Sequence, residues 1–349
     1  MQTGEITGRS LAQRLAAPSE LAGPSPHLGL TWARLAAGDL DELSELLAES
    51  ADPEICDELR ILQQVTPWVE ASEEERKNLD AIVGRDASGQ LQAIGLVFNN
   101  PHPLTEAQAN IYGVIRPHWR GRGIGRALLE WQDGRARQLM LDAGYDLPAS
   151  IRSRARLSNM ERRRLLAAGG FSPHTRWTYM DVDLGAEHAE HARGARARLE
   201  ERGMELIAFD DKHSDEVLRL HNRISMVMDR RQPMSQAEWV DWMTPEDRAT
   251  SVLLTDGSNL VGYSLNSADG STMCVKFYGV ERGFRHQGIG TDLVVAQMGT
   301  ALERGIAHMR VPVISEATPA TDFLTSYGFF EGSSPVSYTH LTLPTILLV

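Results

Sequence analysis

The chain passes twice from an apolar stretch into a helix-like run through a basic, glycine-spaced hexamer. Residues 120–125, RGRGIG, follow ANIYGVIRPHW and precede RALLEWQDGRARQLM; residues 285–290, RHQGIG, follow MCVKFYGV and precede TDLVVAQMGTALERG. Glycine is scarce inside strands and helices, so this spacing marks a tight strand-to-helix turn. The surroundings repeat as well. Arg120 and Arg285 lie 165 residues apart, the triplets Tyr112-Gly113-Val114 and Tyr278-Gly279-Val280 lie 166 apart, and Gly95 and Gly262 lie 167 apart. Upstream, VGRDASGQLQAIGLVFN and LLTDGSNLVGYSLN each read as strand, Asp/Gly/Ser turn, strand. Downstream, each copy runs through a helix to Gly144 or Gly305, a strand, and a short helix closing on Gly170-Phe171 or Gly328-Phe329. One order of elements at a nearly constant offset is an internal duplication.

Each half therefore reads as strand and helices, hairpin, long strand, glycine turn, helix, strand, helix, strand. The first opens with LTWARLAAGDLDELSELLAESA, whose Leu40, Leu43, Leu46 and Leu47 share a helix face, and the second with ELIAFDDKHSDEVLRLHNRI. The expected organisation is an N-terminal extension over 1–26, domains over 27–183 and 204–333, and a polar linker over 184–203, either exposed or a helical connector. His188 and His191 in that connector have a metal-compatible spacing, but no ligand set converges on them, so no metal is expected. Residues 334–349 read as an atypical tail where the duplication predicts a strand, either foreign or supplying that strand through TILLV. A net charge of −12 argues against nucleic acid. No apolar run reaches the length of a membrane span, no secretory leader is evident at the start, and only Cys56 and Cys274 are present, which fits a reducing cytoplasm.

A strand that enters a helix through R-x-x-G-x-G presents consecutive backbone N–H groups at a helix N-terminus. Glycines let a ligand approach them, and the helix dipole favours negative charge, so pyrophosphate suits the turn. A Walker loop would end in Gly-Lys-Ser/Thr, whereas Arg126 follows Gly125 and Thr291 follows Gly290. A dinucleotide fingerprint needs G-x-G-x-x-G, which GRGIGRA does not supply.

Arg120-x-x-Gly123-x-Gly125 and Arg285-x-x-Gly288-x-Gly290, each after a Gly-Val strand and before a long helix, resemble the coenzyme A motif of the GNAT N-acetyltransferases. The resemblance covers nearly the whole chain and is similar in scale to two-domain actinobacterial acetyltransferases. It implies an α/β (α+β) chain of two tandem GNAT domains, each a mixed, mostly antiparallel sheet flanked by helices, with its fourth and fifth strands splayed in a V. It implies acetyl-CoA as acyl donor, its pantetheine arm laid on the splayed strand and its pyrophosphate on the loop. The cofactor-binding residues carried over are Gly113, Val114, Ile115, Arg120, Gly121, Arg122, Gly123, Ile124 and Gly125, with Asn159 on the arm. In the second half they are Gly279, Val280, Glu281, Arg285, His286, Gln287, Gly288, Ile289 and Gly290, with Ala317 in the place of Asn159.

The family's catalytic groups are harder to find. Its general-base Glu would fall near Gln108, Ala109 and Asn110, or Met273, Cys274 and Val275, and none is a carboxylate. Its thiolate-protonating Tyr would fall at Leu166 or Leu324. Glu316, Glu281 and Tyr327 are the remaining catalytic candidates, each with an ordinary structural reading beside it, and proximity alone is a feasible route. Acids from Asp41 to Glu58, and acids beside Trp239 and Trp242, suit a cationic small-molecule amine acceptor, although a solvated acidic face explains them too. The expected protein is a monomeric or homodimeric N-acetyltransferase with its chemistry in the C-terminal half. The alternative is a non-catalytic acyl-CoA-binding tandem protein.

Overall fold

The computed structural model describes residues 10–25, 29–50, 57–72, 75–228, 233–243, 245–314, 318–332 and 334–341. The first half runs α1 (Leu11–Leu15), β1 (Thr31–Arg34), α2 (Leu40–Ser50), α3 (Asp57–Glu70), β2 (Leu79–Arg85), β3 (Leu91–Asn99) and β4 (Ala107–Ile115). It continues with α4 (Ile124–Ala143), β5 (Ala149–Arg156), α5 (Met160–Ala168) and β6 (Ser172–Asp183), and α6 (Ala186–Glu201) follows. The second half runs β7 (Glu205–Ala208), α7 (Ser214–Met228), α8 (Gln236–Trp242), α9 (Pro245–Thr250), β8 (Val252–Thr255), β9 (Leu260–Asp269) and β10 (Thr272–Val280). Then come α10 (Ile289–Glu303), β11 (His308–Ile314), α11 (Thr318–Ser326), β12 (Phe330–Glu331) and β13 (Pro335–Leu341).

Contacts divide the chain into two units, Met1–Thr175 with Val336–Val349, and Arg176–Pro335. The first unit's strands lie in the order β1-β2-β3-β4-β5-β13, the second's in the order β6-β11-β10-β9-β8-β7, with β12 on β6. The terminal strands are thus traded: the strand that follows the first Gly-Phe completes the second sheet, and the chain's last described strand completes the first. In each unit the hairpin pairs are antiparallel, and one parallel pair stands at the centre: β4 with β5 over Ala107–Asn110, and β10 with β11 over Thr272–Cys274. Beyond these short parallel ladders the strands part, which is the splay that the sequence implied.

The hairpin turns form as expected. Asp86 accepts the N–H groups of Ser88 and Gln90, and Asp256 accepts those of Ser258 and Asn259, each an Asx turn that reverses the chain. Side chains on alternate faces of β4 fill two cores. Ala107, Ala109 and Ile111 pack under α4, while Tyr112 and Val114 pack under α2 and α3.

Two segments add to expectation. Of the two readings of 184–203 the chain takes the helical one, and α6 buries Ala192, Ala195 and Leu199 against the second unit's core. That i, i+3, i+7 stripe is hidden in an Ala/Arg-rich composition. Its Arg198 pairs with the nearly fully buried Asp292 of α10 at 2.6 Å. Residues 335–341 form a strand whose Val336 and Tyr338 alternate into the first unit's core. The TILLV segment lies outside the described residues.

Candidate functional site

The two glycine turns have one design. Each strand ends, a single turn of 3-10 helix follows (Pro117–Trp119 or Arg282–Phe284), and the motif arginine folds back. Arg120 Nε donates to the Ile115 carbonyl at 3.0 Å, and Arg285 Nε donates to the Val280 carbonyl at 2.9 Å. The motif arginine therefore braces the end of its own strand. Gly123 (φ +88°) and Gly288 (φ +78°) then open α4 and α10 from the left-handed region. Neither helix start has a side-chain cap. Among the described residues, no acceptor takes the N–H groups from Gly121 to Gly125 or from His286 to Gly290. Unclaimed donors at the positive end of a long helix form an anion seat.

Strand register corrects one part of the sequence alignment. Gly95 faces Gly113 across the first hairpin, but in the second Gly262 faces Val280 and Tyr263 faces Gly279. Counted back from the loops, the two Tyr-Gly-Val triplets are one residue out of step, and further upstream β10 also carries a bulge between Val275 and Phe277. Tyr112 accordingly packs on the α2/α3 side, and Tyr278 on the side of α10. Tyr278, Gly279 and Val280 are the structural counterparts of Gly113, Val114 and Ile115. Glu281 lies past the strand end, where its N–H bonds the Val261 carbonyl.

Two of the three catalytic candidates lie among the described residues, each with partners of its own. Glu316 lies outside the described residues. Glu281 holds Arg223 at 2.8 Å and accepts the N–H of Arg282. Burial pushes its carboxyl up, but Arg223, the Arg282 N–H and the charge of Arg285 outweigh that and hold it below the usual glutamate range. A general base works best with a pKa near the operating pH, so this carboxylate suits an ion pair better. The Tyr327 ring packs edge-on against His191 and tilted against Phe323, each at 5.1 Å. Leu166 and Leu324 are buried core residues.

Other side chains gain structural assignments. Asn159 Oδ1 accepts the Arg162 N–H at 3.0 Å, capping α5. His188 Nδ1 accepts the Gly185 N–H at 2.9 Å at the start of α6. Among the described residues, no group of three His, Cys, Asp or Glu side chains is placed to share a metal ion. Trp239 is fully buried and donates to Ser214 Oγ at 2.8 Å, so it belongs to the core rather than to an acceptor surface. The Trp242 side chain lies outside the described set. In the first half, Glu42 pairs with Arg85 and Glu49 with Arg116, which spends part of the acidic run internally.

Sequence reasoning missed three features near the sites. Lys276, the bulge residue, forms a buried ion pair with Asp247 of α9. His221 Nδ1 lies 3.0 Å from Tyr263 Oη, both buried, and its ring meets Phe277 edge-on at 4.8 Å. A surface concavity of about 460 Å³, lined by Arg202, Met204, Gly283, Phe284 and Gln287, adjoins the second loop. No local pattern marks these groups in the sequence, because elements distant along the chain bring them together.

The fold is one that solved tandem GNAT structures share. No family model matches the chain. It is 25% identical over 233 residues to a mycothiol acetyltransferase of Clavibacter sepedonicus, covering 64% of this chain and 70% of that one. A GCN5-related N-acetyltransferase from Sphaerobacter thermophilus superposes with TM-score 0.65 at 18% identity, over 91% of this chain and 97% of that chain. A tandem GNAT protein from the clavulanic acid biosynthesis pathway superposes with TM-score 0.61 at 17% identity, over 90% and 99%. The solved structures share the fold. With the curated relative they support a tandem GNAT acetyltransferase. No described helix is long and apolar enough to cross a membrane.

Proposed function

We propose that the protein is an acetyl-CoA-dependent N-acetyltransferase, moving the acetyl group to a primary amine of a small molecule by direct attack in a ternary complex. The observation that carries this reading is the pair of anion seats, each beside a splayed strand pair: unclaimed N–H groups, a left-handed glycine and an arginine-braced strand end. In the second half the N–H groups from His286 to Gly290 would hold the pyrophosphate. The concavity beside them offers Arg202 as a further cation for phosphate.

The amine must reach the thioester neutral, and among the described residues no free carboxylate stands at the expected places. Glu281 is committed to Arg223. Rate enhancement then rests on alignment of amine and thioester, with water carrying the proton to bulk, a route that proximity alone makes substantial. The reaction would run in a reducing cytoplasm, in a monomer or homodimer.

A second reading, an acyl-CoA-binding protein without turnover, is favoured by one observation: Leu324 is a buried core residue where the resemblance calls for a proton-donating Tyr. Release of free thiol from acetyl-CoA across a panel of primary amines separates the two. Amine-dependent release, with an acetylated product by mass spectrometry, is expected. Binding of acetyl-CoA with no release for any amine would establish the second reading.

A further inference from the structure

We propose that Arg202 is a positioning residue for the second anion seat, holding its loop in the shape that meets phosphate. The proposal rests on the acyl-CoA reading above and adds to it how this chain keeps that seat formed. The second loop carries a strain that the first does not. His286 stands at φ +59° where Gly121 stands at φ +78° in the first loop. Histidine tolerates the left-handed region better than most side chains, but at a cost that glycine escapes. With Gly288 at φ +78°, two left-handed residues flank Gln287, whose φ is negative. Alternation of this kind turns successive backbone N–H groups into a concave nest for an anion. A strained residue such as His286 persists only where its surroundings hold it.

Two hydrogen bonds pin Gln287 between the left-handed residues. Its Nε2 donates to the Gly283 carbonyl at 3.1 Å, and its own carbonyl accepts Nη1 of Arg202. The peptide from Gln287 to Gly288 is trans and planar, so a carbonyl drawn toward Arg202 sends the Gly288 N–H the opposite way, leaving it to the seat. Released from Arg202, that peptide could turn over and present an oxygen to phosphate where a donor is needed. Arg202 reaches the loop from a fixed base. The Gly203 and Met204 N–H groups bond the Glu200 and Leu199 carbonyls at 2.8 and 2.9 Å, and Gly203 at φ +73° closes α6 in a Schellman turn. Leu199 and Met204, on either side of Arg202, are buried in one cluster with Ile289 and Leu293 of α10. The end of α6 is thus packed on the helix that the loop opens.

Three side chains therefore brace the second loop: Arg285 at the Val280 carbonyl, Gln287 at the Gly283 carbonyl and Arg202 at the peptide that enters Gly288. Only Arg202 comes from outside the loop, from the linker rather than from either repeat, so the duplication gives no sign of it. A guanidinium spent on the Gln287 carbonyl acts through the loop. Its loss should be felt as a loosened seat, and a seat without strain should feel it less. Glycine at position 286, as at Gly121, takes the left-handed conformation without cost and should make the hold dispensable.

Titration calorimetry of the full chain with acetyl-CoA tests this, in a Gly123→Asp parent so that only the second seat reports. Arg202→Ala should weaken binding about tenfold, equal to about 1.4 kcal/mol. Arg202→Lys, which keeps a donor, should restore most of the loss. Once His286→Gly is present, Arg202→Ala should change affinity by no more than about twofold, which a double-mutant cycle reads directly. Arg202 is exposed, so its variants should fold, and thermal melts check that. Arg202→Met, which keeps the aliphatic stem without a donor, carries the same expectation if Arg202→Ala does not fold. A folded Arg202→Ala or Arg202→Met chain that binds as tightly as its parent would overturn the proposal. So would a loss of the same size with and without His286→Gly, which would make Arg202 a direct contact of the phosphate. A Gly123→Asp parent that binds nothing while the wild type binds would overturn it too, since the second seat would then be idle. A wild type that binds no acetyl-CoA would instead overturn the acyl-CoA reading on which the proposal stands.

Discussion

Gly288→Asp separates binding at the second loop from the stability of the fold. At φ +78° the position lies in the left-handed region, where a non-glycine residue costs about 1–2 kcal/mol and Asp is among the side chains that tolerate it. A Cβ there meets nothing within 4 Å, so no clash adds to the strain. For a domain of this size, about 1–2 kcal/mol lowers Tm by roughly 2–8 °C. The effect on an anion is larger. The new carboxylate competes for the N–H groups of the anion seat and repels pyrophosphate. Losing two charge-assisted bonds at about 1.5–3 kcal/mol each removes roughly 3–6 kcal/mol, or about 10²- to 10⁴-fold in Kd. Calorimetric titration with acetyl-CoA, alongside a thermal melt, reads both quantities. A folded variant with wild-type affinity would refute the assignment of the loop, and a collapse of Tm without bound-state data would show that the glycine serves folding instead.

Three further outcomes follow from the same geometry. Asn159→Ala should cost about 1 kcal/mol of stability through the lost cap of α5 and leave acetyl-CoA affinity unchanged, read by denaturant melts and titration. Glu281→Gln should remove less than about 1 kcal/mol, because the Arg223 pair is partly exposed; the folded carboxyl is depressed, so its contribution is present above the ordinary glutamate pKa and lost as pH falls through the folded value. Wild type and variant should therefore differ in Tm at pH 7 and converge only once the pH has fallen below the ordinary glutamate range. Turnover should rise with pH as the acceptor amine loses its proton, and an upper limb between about pH 7 and 9 would reveal a general acid.

The glycine turns, the hairpins and the order of elements were legible because each rests on local chemistry: positive φ at Gly123 and Gly288, Asx turns at Asp86 and Asp256. The register of β10 was not, since a triplet one residue out of step looks like ordinary drift among offsets of 165, 166 and 167, and nothing local marks the bulge at Lys276. Arg162 reads no differently from Arg163 and Arg164; only the fold shows which of them turns into the splay. Nor does a strand's own pattern say which sheet it completes, so the trade of β6 and β13 had no sequence signal. Trp239 looked like an aromatic wall beside acids, and burial on α8 made it core.

Turnover of Gly123→Asp and Gly288→Asp, measured side by side with an amine that the wild type acetylates, tests the central claim most directly. Gly288→Asp should abolish thiol release, and Gly123→Asp should keep the product rate within about tenfold of wild type, a barrier change of about 1.4 kcal/mol. Loss of turnover in Gly123→Asp with Gly288→Asp active would place the chemistry in the N-terminal half and contradict the account.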